Sequence, residues 1–479
     1  MSAVRNVRWV GMIQVTRVCV QLLGLLVLSR LLTPADFGLV AIVFAISNFA
    51  LLLRDMGTAA AIIQRDVLDE QTKLTAHWSN CFIGFGLAAI LLALSVPLEL
   101  AFKAPGLAPL LQLSALSFPF LSGSTVHQAL LERASRFETV ARIEISALLT
   151  GFVVAIVAAI LGAGAYSLVL QTLSVAVTSA VQFWIASDLK TKWGWSGEHA
   201  KGLWRFSGSL FGFNLVNYFT RNADTMIIGR VLGAASLGPY SLAYRVMLFP
   251  LQNLTFVATR ALFPMMSRHQ HSPQELGALH LRMLSVISFF TAPMMAGLFV
   301  LREPFVAVAL GDAWGTVAML ILWLSPIGFI QSLVSAGGVV FTALGRTDLL
   351  FRLGVFSSVL HVSAFVAGVQ WGLTGVAAAY LVATLINCVV SLGVLMHLMQ
   401  QPVSRLFGAV LPSVAKSVIM AVIIYFADIE LRALGVPALV RLLGLSAGGG
   451  LIYLALTRIH LMPADRDVLR LFMKKAKSV

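Results

Sequence analysis

Apolar runs of about twenty residues follow one another from Trp9 almost to the end of this chain, separated by short polar connections. A helix of that length rises far enough to cross the roughly 30 Å hydrocarbon core of a bilayer. Short segments of alternating polarity, the mark of a membrane β-barrel, are missing, so the backbone has to satisfy its hydrogen bonds inside helices. Composition points the same way, with 59% hydrophobic and 11% charged residues and a mean hydropathy of +0.90. The sequence therefore specifies an all-α, polytopic membrane protein.

About fourteen spans are predicted, near 9–32, 37–53, 79–99, 109–131, 143–161, 166–187, 205–229, 237–259, 281–301, 315–341, 351–369, 374–398, 409–427 and 437–457. Arg5 and Arg8 precede a first run too long and too polar for a signal-peptide core, and no cleavage site follows, so this helix is expected to stay in the mature protein. Ala59-Ala60-Ala61-Ile62-Ile63 in the second connection reads as a segment that dips into the interface. Cys19, Cys81 and Cys388 all fall inside apolar runs and form neither a disulfide framework nor a metal-ligand spacing.

Charge tests the count independently. With a cytoplasmic N-terminus, inside segments carry Arg5, Arg8, Arg54, Arg65, Lys73, Arg133, Arg136, Arg142, Lys190, Lys192, Lys201 and Arg205, then Arg260, Arg268, Arg282, Arg346, Arg352, Arg405 and Lys416, then the tail from Arg458 to Lys477. Outside segments carry Lys103, Arg230, Arg302 and Arg432. That asymmetry obeys the positive-inside rule and places both termini in the cytoplasm. The net charge of +14 is then a topology signal with attraction to anionic lipid headgroups, and no nucleic-acid partner is needed to explain it.

A polar helix stripe is written twice, 200 residues apart. Gln14, Arg17, Gln21 and Arg30 lie in the first run, and Asn214, Asn217, Arg221 and Arg230 in the seventh. Phe37-Gly38 follows the first stripe in the register in which Leu237-Gly238 follows the second. An even number of spans separates the copies, so the halves are parallel repeats. The expected architecture is a lobe over 1–200, a second over 201–400, a central cavity, and a C-terminal pair of helices with a basic cytoplasmic tail over 401–479.

Polar groups at membrane depth are costly and tend to face a bundle interior or watery pathway. Steps of three and four put Gln14, Arg17 and Gln21 on one helix face, and Asn214, Asn217, Arg221 and Asp224 on another, with Tyr218 beside it. Two readings stand for Arg221 and Asp224: an ion pair holding the bundle, or a cation with its tuning carboxylate. In the second, Arg17 and Arg221 offer planar, permanently charged forks to an anionic substrate. Arg54 and Arg245 extend that field, while Arg30 and Arg230 snorkel to the outer interface. Asp224 and Glu144 are the candidate coupling-ion carboxylates, although Glu144 also reads as an interfacial residue beside Arg142. Gln331, Ser335, Tyr380, Thr384 and Asn387 read as interhelical glue as readily as cavity lining.

Connections are too short for an extramembrane catalytic domain, and there is no Walker A sequence, dinucleotide loop or His/Cys/Asp cluster. The sequence thus predicts a transporter and not an enzyme, with no cofactor or metal.

Several motifs carry a family resemblance: Leu31-Leu32-Thr33-Pro34-Ala35-Asp36-Phe37-Gly38; Asp55-Met56-Gly57-Thr58-Ala59-Ala60-Ala61-Ile62-Ile63-Gln64-Arg65; Gln128-Ala129-Leu130-Leu131-Glu132-Arg133; and Asn222-Ala223-Asp224-Thr225-Met226-Ile227-Ile228-Gly229-Arg230 running into Gly238-Pro239-Tyr240-Ser241-Leu242-Ala243-Tyr244. Together they resemble bacterial polysaccharide flippases of the Wzx type, over roughly residues 5 to 400. The resemblance implies the multidrug/oligosaccharidyl-lipid/polysaccharide exporter fold. It also implies movement of an undecaprenyl-pyrophosphate-linked oligosaccharide to the periplasmic face of the inner membrane by alternating access, for exopolysaccharide, capsule or O-antigen, with a polymerase and other assembly proteins as partners. A peptidoglycan-precursor flippase, a cation-coupled drug exporter and a structural anchor of a synthase complex are the competing readings.

Overall fold

The structure, a computed structural model, describes residues 2–54, 58–64, 68–199, 218, 222–250 and 272–459. Among the described residues there are helices and connections and no strand. Among the described residues eleven stretches are long and apolar enough to cross a membrane, and one of them, Thr347–Leu398, consists of two helices joined by a short turn. The start of the predicted span 205–229, the end of 237–259, and Arg260, Arg268 and the basic tail beyond Ile459 lie outside the described residues.

The chain divides into two compact units, Met1–Gly238 and Pro239–Val479. The first contains α1 (Ser2–Leu31), α2 (Pro34–Arg54), α3 (Thr58–Gln64), α4 (Glu70–Phe102), α5 (Leu107–Ala115), α6 (Ser117–Arg133), α7 (Phe137–Ile160) and α8 (Tyr166–Ala186). A helical stretch at 222–231 follows, and α9 (Ala234–Pro250) crosses the division. The predicted span 109–131 is thus two helices, interrupted at Leu116.

Local chemistry explains the Thr33-Pro34-Ala35-Asp36 motif. The Thr33 amide and hydroxyl both donate to Asp36 Oδ2, at 2.9 and 2.6 Å, while the Asp36 amide donates back to Thr33 Oγ1 at 3.3 Å. This is a capping box with proline at the first helical position, where its missing N–H costs nothing. Asp36 Oδ1 also accepts from the Ala165 amide at 2.9 Å, which ties the start of α2 to the start of α8. Two residues on, Gly38 allows a close backbone approach. A Cβ on Gly38 would collide with the Ala234 carbonyl, and a Cβ on Gly238 would collide with the Pro34 carbonyl. This contact lies inside the first unit, which extends to Gly238.

Ala59–Ile63 folds into α3. Ile62 is fully buried and packs with Ala76, Val126 and Ala129. Arg133 at the end of α6 donates from Nη1 to the Ile62 and Ile63 carbonyls at 2.7 and 3.3 Å, satisfying oxygens that a helix C-terminus leaves unpaired. The connection 187–199 returns over α4 as a strap. Trp78 Nε1 donates to the Lys192 carbonyl, Trp195 Nε1 to Ser79 Oγ, and the Ser196 amide to Thr75 Oγ1.

The second unit contains α10 (Pro273–Val300), α11 (Arg302–Ala309), α12 (Gly315–Ser335), α13 (Gly337–Ala343), α14 (Thr347–Gly368), α15 (Gly372–Leu398), α16 (Val403–Ala433) and α17 (Ala438–Ile459). Its core gathers Leu276, Met283, Ile287, Val340, Leu395 and Met396. The two C-terminal helices belong to this unit: α16 packs along α10, and α17 on α16 and α11. Asp428 and Arg441 join α16 to α17 at 2.9 Å. Between α10, α12 and α16 lies an apolar cavity of about 600 Å³, lined by Met295, Phe299, Phe329, Val418 and Phe426 among others.

Candidate functional site

In the first unit α1 lies against α7. Ile13, Val20 and Leu28 are buried, whereas Gln14, Arg17 and Gln21 are exposed. The apolar Met12, Val15, Leu22 and Leu23 of the same helix are exposed as well. Arg17 reaches α7, where its Nη2 lies 3.2 Å from Glu144 Oε2. Its side chain is 55% exposed and that of Glu144 only 24%.

Glu144 does not lean on Arg142, which is held by Glu138 at 2.5 Å one turn away. It is joined instead to α6. Gln128 Nε2 donates to Glu132 Oε1 at 2.9 Å and to Glu144 Oε1 at 3.4 Å, so one amide links two carboxylates. Helices α1, α6 and α7 thereby bring Arg17, Glu144, Gln128 and Glu132 together. Reading single helices misses Gln128 and Glu132 as members of this group. The available signal is their four-residue spacing, which puts both on one face of α6.

The second stripe is only partly in view. Asn214, Asn217 and Arg221 lie outside the described residues, as does the Arg54 side chain. The Tyr218 hydroxyl donates to the Ala45 carbonyl, and its ring lies 5.6 Å from Phe49, so Tyr218 packs on α2. Asp224 is 3% exposed. Its Oδ1 accepts from the Thr225 amide at 2.6 Å and from the Thr225 hydroxyl at 3.3 Å.

In the second unit Arg245 is exposed on α9. Beside it Tyr244 stacks on Tyr240 at 6.0 Å and approaches Tyr380 at 6.4 Å. Of the polar residues of the later helices, Gln331 donates to the Tyr380 hydroxyl at 2.5 Å and Thr384 is approached by His361 at 3.4 Å, whereas Ser335 and Asn387 bond Ser332 and Ser391 within their own helices. The first two bonds join α12 to α15 and α14 to α15. In the first unit His127 meets Ser187 Oγ at 2.5 Å at the foot of the strap, its ring 5.0 Å from His77. No group of three His, Cys, Asp or Glu able to hold a metal occurs among the described residues. Arg17 is the half-exposed cation of this group, held at one carboxylate oxygen of Glu144.

Known proteins match the chain in sequence and in fold. The family described as polysaccharide biosynthesis protein matches residues 27–319. The chain is 29% identical over 397 residues to the lipopolysaccharide biosynthesis protein WzxC of Escherichia coli, covering 81% of this chain and 80% of that one. It is 25% identical to the succinoglycan biosynthesis transport protein ExoT of Rhizobium meliloti, covering 100% and 96%. Among solved structures it resembles the lipid II flippase MurJ in an inward closed conformation, with a TM-score of 0.73 at 16% identity, covering 95% and 98%. That last likeness is one of fold.

Proposed function

The chain belongs to the polysaccharide biosynthesis protein family, and from that premise we propose that it flips an undecaprenyl-pyrophosphate-linked oligosaccharide from the cytoplasmic to the periplasmic face of the inner membrane. Its relatives make it a multi-pass transporter of polysaccharide biosynthesis. The finer reading is that Arg17 receives the pyrophosphate, with Arg221, Arg245 and Arg54 adding to the field and Gln14, Gln21, Asn214 and Asn217 meeting sugar hydroxyls. The two repeats alternate access, both termini stay in the cytoplasm, and a polymerase takes up the product outside.

One observation carries this reading. Arg17 is a half-exposed guanidinium on a polar face of a membrane helix, with a carboxylate partner on one side. A permanently charged planar fork with free donors is suited to phosphate oxygens, which it binds bidentately. A drug exporter selecting cations would instead place unpaired carboxylates on that face, and here the exposed charge is positive.

The test is polymer export in cells carrying R17A or R221A at normal protein level and insertion. Each is expected to lower export at least about tenfold, the loss of one charge-assisted phosphate contact, and R17K to recover part of it. Undiminished export from both alanine variants would sink the reading and favour a purely structural role. Complementation of a strain lacking its peptidoglycan-precursor flippase would redirect it to that cargo.

A further inference from the structure

We propose that the first half of the strap, with the face of α4 beside it, is a binding site for an anionic phospholipid of the bilayer. Lys190 and Lys192 take the phosphate, and Trp193, Phe82 and Phe85 take the start of an acyl chain. The site is separate from the Arg17 group and holds whatever cargo the protein carries.

The strap runs back along α4 toward the start of that helix. Lys192 lies at the level of Trp78, Ser196 at Thr75, and His199 Nε2 is 3.6 Å from Asp69. Its first half is therefore the part nearest the apolar middle of α4. There the Lys192 amide donates to the Lys190 carbonyl at 2.8 Å, a three-residue turn that sends both lysines out from one bend of the chain. Trp78 Nε1 donates to the Lys192 carbonyl at 2.9 Å and fixes the bend to the helix. Both lysines are exposed, and among the described residues neither has an ion-pair partner. The strap's own carboxylates do not serve them: Asp188, although exposed, lies 3.7 Å from Arg136, and Glu198 comes after Ser196, toward the start of α4.

Trp193 follows the bend. Its ring is 4.9 Å from Trp78 and 6.1 Å from Phe82, yet the residue is 70% exposed. Phe82, Phe85 and Ala89 are exposed at steps of three and four, which places them on one face of α4. Because α4 is long and apolar enough to span a bilayer, that face meets acyl chains. An indole at the end of such a face sits at the depth indoles favour, between chains and headgroups. The two lysines beside it are then at headgroup level. Two ammonium groups leaving one bend attract a lipid of net negative charge, whereas a zwitterionic lipid brings its own cation to the same place and gains less. An acidic protein segment would satisfy the lysines and leave the apolar face uncovered. On the orientation proposed above, this is the cytoplasmic leaflet.

The experiment places purified full-length protein in nanodiscs of phosphatidylcholine that contain a minor fraction of brominated phosphatidylglycerol or, for reference, brominated phosphatidylcholine. Bromine quenches indole fluorescence at contact, and the quenching that W193F loses is that of Trp193. At low salt, phosphatidylglycerol is expected to be favoured over phosphatidylcholine at Trp193 by about tenfold or more, each lysine supplying roughly fivefold. In about 1 M salt the preference should shrink at least about threefold. K190A/K192A keeps the backbone bond to Trp78 and should bring the preference to within about twofold of none, while K190R/K192R should retain it. Native mass spectrometry of wild type and K190A/K192A with the same two lipids, unbrominated, reads the preference without W193F should that variant fail to fold. Equal binding of the two lipids by wild type, or a preference that survives K190A/K192A, overturns the site. Quenching of Trp193 by neither lipid overturns it as well, since the strap is then off the bilayer.

Discussion

Gly38 and Gly238 stand in reciprocal contact: the first needs its missing Cβ because of the Ala234 carbonyl, the second because of the Pro34 carbonyl. Residue 34 is to 234 as 38 is to 238, so the contact has the self-complementary form that a local twofold imposes. Both obstacles are backbone atoms, which side-chain rearrangement does not relieve. G38A and G238A are each expected to destabilise the protein by about 2–3 kcal/mol through overpacking. The double variant should cost clearly less than the sum, since the first methyl already parts the two backbones. Thermal unfolding of the four proteins in detergent measures this cycle, and strict additivity would contradict it.

Arg133 holds the end of α3 through two carbonyls. Its replacement by alanine removes charge-assisted bonds worth about 2 kcal/mol. Amide hydrogen exchange over 58–64 should accelerate roughly tenfold or more in R133A, while exchange in α7 stays as in wild type.

Asp69 caps α4, accepting from the Thr72 amide at 3.2 Å and from the Thr72 hydroxyl. The hydroxyl bond, more than the amide bond or His199, holds its carboxyl below the ordinary value of 3.8. A depressed carboxylate stabilises the folded state above its unfolded range and loses that contribution as pH falls through the folded value. The advantage of wild type over D69A, followed by tryptophan fluorescence on heating, should therefore be full at about pH 6 and decline below about pH 4. D69N, with an amide that still accepts from Thr72, should show no such decline.

Asp428 and Arg441 are 16% and 11% exposed, a largely enclosed pair between the last two helices. D428L or R441M alone strands a charge and should cost about 3 kcal/mol or more. The double change, which removes both charges, should restore stability to within about 1 kcal/mol of wild type. Thermal unfolding in detergent checks the pattern, and a double variant as weak as the worse single one would refute it.

Much of the helical plan was legible because hydrocarbon leaves few alternatives: a run such as 137–160 or 403–433 is apolar enough to be nothing but a spanning helix. Pairing across helices was not legible. Arg17 and Glu144 are 127 residues apart, and Arg142, two residues from Glu144, is the nearer cation in sequence but finds Glu138. Nor did hydropathy reveal the break at Leu116 or the folding of α3, since both depend on which neighbours lend hydrogen bonds and apolar cover. The glycine register was visible as a repeat, yet its purpose emerged only when position 38 was found against 234.

The strap at 187–199 also imposes an order of assembly. Its partners Thr75, Trp78 and Ser79 precede the residues that bond them by 114 to 121 positions. All of them have left the ribosome before the strap itself is made. The link between α8 and α4 can thus fasten while the rest of the chain is still being synthesised. The later helices are then made after this end of the first unit has already been fastened.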